Sequence, residues 1–158
     1  MADVRPLDRR KARVVVESAA ALRSVRRPAF VVPGKAAVVE RVGESFAVLA
    51  PDVDRRELRE LQTGRRSPEA VLDLHGLTGN RVGPTVATFV RRARREGHRC
   101  VLVIHGRGHR SGPEGPVLRD RLIEALCGPL AGDILAAATA PSAHGGRGAA
   151  LMLLRKAP

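Results

Sequence analysis

From Ala70 onward, short apolar runs alternate with apolar stripes at helical spacing. Val71 to Leu74 has strand length, and Val82, Val86, Phe89, Val90 and Ala93 follow at i, i+4, i+7, i+8 and i+11 before Gly97. That spacing predicts an amphipathic helix with a glycine stop. Cys100 to Ile104 is a second strand, flanked by Arg99 and His105. A glycine-rich turn from Gly106 to Pro116 leads to Leu118, Leu122, Ala125 and Leu126, a second helix ended by Gly128-Pro129. Ile134 to Ala138 and Ala149 to Leu154 are again of strand length. The predicted order is βαβαββ. A right-handed first crossover would set the first two strands parallel, in a small mixed α/β sheet with helices packed against it.

The pattern upstream is weaker. In the segment from Val53 to Gly64, Asp54 and Glu57 stand as in a capping box, Leu58 and Leu61 share a helical face, and Gly64 is a C-terminal stop. A short helix is expected there, with a connector from Arg65 to Glu69. Residues 1–51 read as a basic extension: Leu7 to Arg27 forms a thin helical stripe through Ala19, Leu22 and Val25. Pro28, Pro33, Gly34 and Pro51 punctuate the rest of the extension, which is either loosely ordered or a short strand pair. The expected organisation is therefore 1–51 extension, 52–69 helix and connector, and 70–156 folded domain.

Composition narrows the function. The 158 residues are 44% hydrophobic but only 2% aromatic, without Trp or Tyr, so the core must be aliphatic. A formal charge of +12 attracts phosphates at long range, which favours nucleic acid or a ribosomal surface as partner. Cys100 and Cys127 are too few and too far apart for a disulfide framework or a Cys-x-x-Cys zinc site. With no signal-peptide core and no apolar stretch near the ~20 residues that span a bilayer, the expected setting is cytoplasmic, away from membranes.

Candidate chemistry lies where the apolar runs end. Asp73-Leu74-His75-Gly76 closes the first strand, and by alternation Asp73 and His75 should share a face while Leu72 and Leu74 enter the core. A carboxylate two residues from an imidazole can fix the ring's tautomer, or each can handle a proton separately. His105-Gly106-Arg107-Gly108 closes the second strand and continues to Arg110; its glycines let backbone approach a phosphate while its arginines supply forked donors. His144-Gly145-Gly146-Arg147 makes a tight turn before the last strand, within reach of a phosphate. Arg91 and Arg95, in a basic cluster on the first long helix, offer a face that can follow a phosphate backbone. Each of these has a plain alternative: a capped strand end, a basic loop, a turn, a solvated helix face.

The carboxylates from Ala70 onward are only Asp73, Glu96, Glu114, Asp120, Glu124 and Asp133, too sparse for a two-metal nuclease. A zinc site from His75, His105, His109 and His144 would require loops to converge, so no metal or cofactor is expected. Without a metal, RNA is the easier substrate because its 2′-hydroxyl is a built-in nucleophile. Asp73 with His75 would remove that proton, and His105 is a candidate second acid for the leaving 5′-oxygen.

The motifs Leu72-Asp73-Leu74-His75-Gly76, Ile104-His105-Gly106-Arg107-Gly108 and His144-Gly145-Gly146-Arg147-Gly148, in this order, closely resemble the Smr (small MutS-related) domain family over residues 70 to 156. The resemblance implies a compact two-layer α/β sandwich and nuclease activity on DNA or RNA. In bacterial stand-alone members it further implies cleavage of messenger RNA on collided ribosomes. One departure is Gly83-Pro84 in the first long helix, which a late start with Pro84 as first helical residue would accommodate. The leading expectation is a monomeric, metal-independent endoribonuclease. A DNA-nicking enzyme for branched or damaged duplexes and a non-catalytic nucleic-acid or ribosome-binding module remain open beside it.

Overall fold

The computed structural model describes residues 37–107 and 117–158. The expected basic helix from Leu7 to Arg27, and Gly108, His109 and Arg110 of the glycine-rich turn, lie outside them. Six strands form one mixed sheet: β1 (Val38–Val42), β2 (Ser45–Leu49), β3 (Ala70–Asp73), β4 (Cys100–Ile104), β5 (Ile134–Thr139) and β6 (Ala149–Leu154), in the order β1-β2-β5-β6-β4-β3. β3 and β4 are parallel, and every other pairing is antiparallel. The βαβαββ order from Ala70 onward is present as expected. The strand pair at residues 38–49, assigned by the sequence to the extension, joins the same sheet through β2 against β5.

Strand alternation divides the apolar residues into two layers. Leu72, Val101, Val103, Ala150 and Met152 face α2 (Gly79–Arg95) and α3 (Val117–Cys127), which supply Val82, Val86, Val90, Leu122 and Leu126 to that core. Val71, Leu102, Leu151 and Leu153 face the opposite way, where α1 (Arg55–Gln62) inserts Leu58 and Leu61. Burying each such leucine stabilises by roughly 1.5–3 kcal/mol. Asp54 caps α1, its side chain accepting from the Arg56 N–H at 2.8 Å. The reciprocal half of a capping box is absent, because Glu57 instead pairs with Arg66. α1 packs mainly on β5, β6 and β2, leaving the outer face of β3 and β4 to a different cover.

α2 starts earlier than the sequence suggests. It begins at Gly79, with Pro84 inside it. Gly79 and Val82 are buried, and Arg81 N–H already donates to Thr78 O at 3.0 Å. Proline deprives only the Asn80 carbonyl of its helical partner, and Asn80 is exposed, so water replaces that bond while packing holds the first turn.

Candidate functional site

The first motif sits where β3 stops. Leu74 N–H donates to Ile104 O (2.7 Å), and Leu77 N–H returns to Leu74 O (2.9 Å), closing a turn with Gly76 at φ 74°. That positive φ is what a type II turn demands of its third residue, so glycine is needed there. His75 occupies the corner and is exposed. Asp73 is 4% exposed, and its Oδ1 accepts from the His75 backbone N–H at 2.8 Å. The link between the two residues therefore runs through the main chain: among the described residues, no hydrogen bond or ion pair joins the carboxylate to the His75 ring. The alternation expected to align both side chains ends with the strand.

Across the sheet, Asp73 is in register with Ile104, and Ile104 with Ala149. These three side chains form a row on the α1 side of the sheet, beyond the reach of α1. The second and third motifs meet there. His105 N–H and Gly106 N–H both donate to Gly148 O, at 3.0 and 2.9 Å. Two 3-10 turns, Ser142–His144 and Gly146–Gly148, carry the chain over the row. A methyl group on Gly148 would lie 3.5 Å from Arg107 Cγ, and one on Gly146 3.9 Å from Arg107 Nη2, so the Arg107 arm runs along this glycine turn. Gly145 adopts φ 110° in the same turn. Arg107 and His144 flank a cavity of about 240 Å³, and Val71, Leu102, Ile104 and Ala149 line its depth.

His105 is placed differently. It follows Val101 and Val103 on the α2–α3 side, opposite Asp73, and is 3% exposed. Its Nδ1–H donates to Gly106 O at 2.7 Å, while Nε2 is buried without a partner. Burial, with the Arg119 guanidinium adding to it, pushes its pKa down to about 4 against the Gly106 hydrogen bond and Asp120, which raise it. The ring is thus neutral at physiological pH. Nearby, Arg41 pairs with Asp120 at 2.9 Å and Arg119 donates to Glu44 O at 2.7 Å, a buried polar group beneath the start of α3 that the sequence did not reveal.

The basic cluster on α2 divides as well. Arg92 pairs with Glu96, and Arg94 with Asp133, while Arg91 and Arg95 are exposed. Arg91 stands roughly 18 Å along the helix from Gly79 at ~1.5 Å per residue, so the structure does not bring it to the Asp73 row. Arg147 is exposed and pairs with Glu44 at 3.3 Å. Among the described residues, no three His, Cys, Asp or Glu side chains gather so as to hold a metal ion. Nor is any helix among them long and apolar enough to cross a membrane. The sequence read Val71, Leu102, Ile104 and Ala149 only as core. The signal that they line a cavity is that α1 is too short to cover a sheet apolar on both faces.

A model of the Smr domain matches residues 72–155. The chain is 35% identical over 104 residues to the ribosome rescue factor SmrB of Yersinia pseudotuberculosis, covering 66% of this chain and 54% of that protein. It is 30% identical over 146 residues to the ribosome rescue factor SmrB of Pectobacterium carotovorum, covering 82% and 77%. The chain thus spans about half the length of the Yersinia relative. Among solved structures it resembles YdaL, a stand-alone small MutS-related protein from Escherichia coli, with TM-score 0.59 and 28% identity over 70% of this chain and 82% of that one.

Proposed function

The chain belongs to the Smr domain family, and from that premise we propose that it is a metal-independent endoribonuclease acting on ribosome-associated RNA. The observation that carries this reading is the convergence of the three motifs: Asp73, Ile104 and Ala149 form one row, and Gly148 O ties the His105-Gly106 strand end to the glycine turn. The relatives named ribosome rescue factors support the ribosome as the setting. The catalytic unit is residues 70–156, its sheet extended by the β1–β2 hairpin. One copy suffices, since Asp73, His75, Arg107 and His144 all come from the same chain.

The difference in burial divides the roles. Asp73, held by the His75 N–H and one strand over from the cavity-lining Ile104, takes the proton from the RNA 2′-hydroxyl. The freed 2′-oxygen attacks phosphorus, and the bond from phosphorus to the 5′-oxygen breaks. His75, at the exposed corner, gives its proton to that departing oxygen. Arg107 offsets the charge gathering on the phosphorane, an electrostatic role that strengthens as bound RNA displaces water. The products are a 2′,3′-cyclic phosphate and a 5′-hydroxyl. His105, neutral and on the other sheet face, fixes the loop and carries no proton in this scheme.

The test is cleavage of ribosome-bound message with end-group analysis. Asp73→Asn keeps an oxygen to accept the His75 N–H, so the turn persists while the base is lost. A rate loss on the order of 10²- to 10⁴-fold is expected, with RNA binding retained and EDTA without effect. Products bearing 5′-phosphate and 3′-hydroxyl ends would refute the 2′-hydroxyl route. Faster cutting of a matched DNA would favour the nicking enzyme, and full activity in Asp73→Asn would remove Asp73 from the chemistry.

A further inference from the structure

We propose that the cavity between Arg107 and His144 is a subsite for one unstacked nucleobase, so that the enzyme grips the base of a nucleotide next to the scissile phosphate. This rests on the nuclease reading above and specifies its substrate as single-stranded or locally unpaired RNA. The cavity measures about 240 Å³, below the ~300 Å³ at which pockets for whole small ligands begin and suited to a single ring system. Its depth is aliphatic, made by Val71, Leu102, Ile104 and Ala149. A phosphate would be stranded on such a floor, whereas the face of a heterocycle buries apolar surface there. Its polar groups stand at the walls: the Arg107 guanidinium and the His144 imidazole, both planar groups of the kind on which RNA bases stack.

This supplies what the composition withholds. The chain has three Phe and neither Trp nor Tyr, and among the described residues both Phe46 and Phe89 are buried in the core, so neither offers bases a platform. Among the described residues no carboxylate pairs with Arg107, so its guanidinium is available to a ligand. Its arm lies along the glycine turn, within ordinary contact distance of Gly146 and Gly148. Asp73 is not itself part of the cavity lining but stands in register, on the neighbouring strand, with Ile104, which is. A base seated on the floor therefore brings its own ribose and 2′-hydroxyl to the carboxylate. Base capture and proton removal then act on the same nucleotide.

The test needs binding, not cleavage. A 2′-O-methylated RNA trinucleotide, which cannot be cut by this route, is titrated against the full chain with its middle base present or removed. Loss of the base is expected to weaken binding about tenfold, the usual scale of one stacked base. In Arg107→Ala and in His144→Ala, both solvent-facing changes, the ratio between the two oligomers should collapse toward one. Equal affinities in the wild-type protein would overturn the proposal. So would a base effect that survives both substitutions, because Arg107 would then contact only phosphate and the base would sit elsewhere. A base effect in a protein that cuts no RNA sinks the nuclease reading alone; cleavage without a base effect sinks the subsite alone.

Discussion

Protonating His105 should destabilise this protein from within, and the size of the effect is set by its burial. The ordinary histidine pKa of 6.5 is pushed down to about 4 in the folded chain, first by desolvation. Between these values the unfolded chain binds a proton that the folded chain refuses. Stability is therefore fully present above pH 6.5 and is lost as pH falls toward 4. The whole loss is on the order of 3 kcal/mol, and about 2 kcal/mol of it is reached by pH 5. The assay is urea unfolding at pH 7.5 and 5.0 for the natural chain and His105→Asn, whose amide can keep the donor to Gly106 O but does not titrate. Other acidic and histidine groups titrate alike in both proteins, so the difference between the two pH dependences isolates His105. The natural chain should lose about 2 kcal/mol more than the variant. Identical losses would mean that the ring is hydrated or already charged in the folded state, and His105 would return as a candidate acid. Under the proposed scheme, in which His105 moves no proton, cleavage by folded His105→Asn should likewise persist at pH 7.5.

Two further measurements address the same surface. Gly145→Ala should destabilise by about 1–2 kcal/mol, because φ 110° is strained for alanine and its methyl would sit 3.1 Å from the buried Ala149 Cβ. Gly148→Ala meets Arg107 Cγ at an ordinary 3.5 Å without a positive φ and should stay within about 0.5 kcal/mol; thermal melts showing the reverse order would contradict the turn geometry. Replacing Arg91 and Arg95 together by Ala should reduce the slope of log K against log salt for single-stranded RNA by up to about 1.4, and an unchanged slope would show that this helix face does not follow the phosphates.

How much of this was legible in the chain depended on how local the cause was. The strands and helices from Ala70 onward are local, because runs such as Cys100 to Ile104 and the stripe from Val82 to Ala93 state their own periodicity. The start of α2 was not, since Pro84 weakens the first turns locally and only the burial of Gly79 and Val82 overrides it. The hairpin at 38–49 was legible only as one of two alternatives, a short strand pair or loose order, because Val38 and Val42 remain exposed and the strands gain their worth by pairing with β5 far along the chain. At the site, the motifs named the residues but not their directions. Alternation predicted that Asp73 and His75 would point together, yet the turn at Gly76 takes His75 out of the strand and leaves only its N–H on the carboxylate.

The relation of Asp73 to His105 is the sharpest case, because two His-Gly strand ends look equivalent in sequence. Parity decides otherwise. Once β3 and β4 pair in parallel with Asp73 opposite Ile104, the residue after Ile104 must face away from Asp73. That one-residue offset sends His105 into the core beside α3, where burial strips it of charge, and leaves Ile104 and Arg107 to face the cavity. The offset is invisible until register is known, since a shift of one residue would exchange the two faces and with them the two roles. In the proposed scheme chemistry at neutral pH therefore falls to the strand end where His75 reaches solvent beside Asp73, and the other strand end serves as its scaffold.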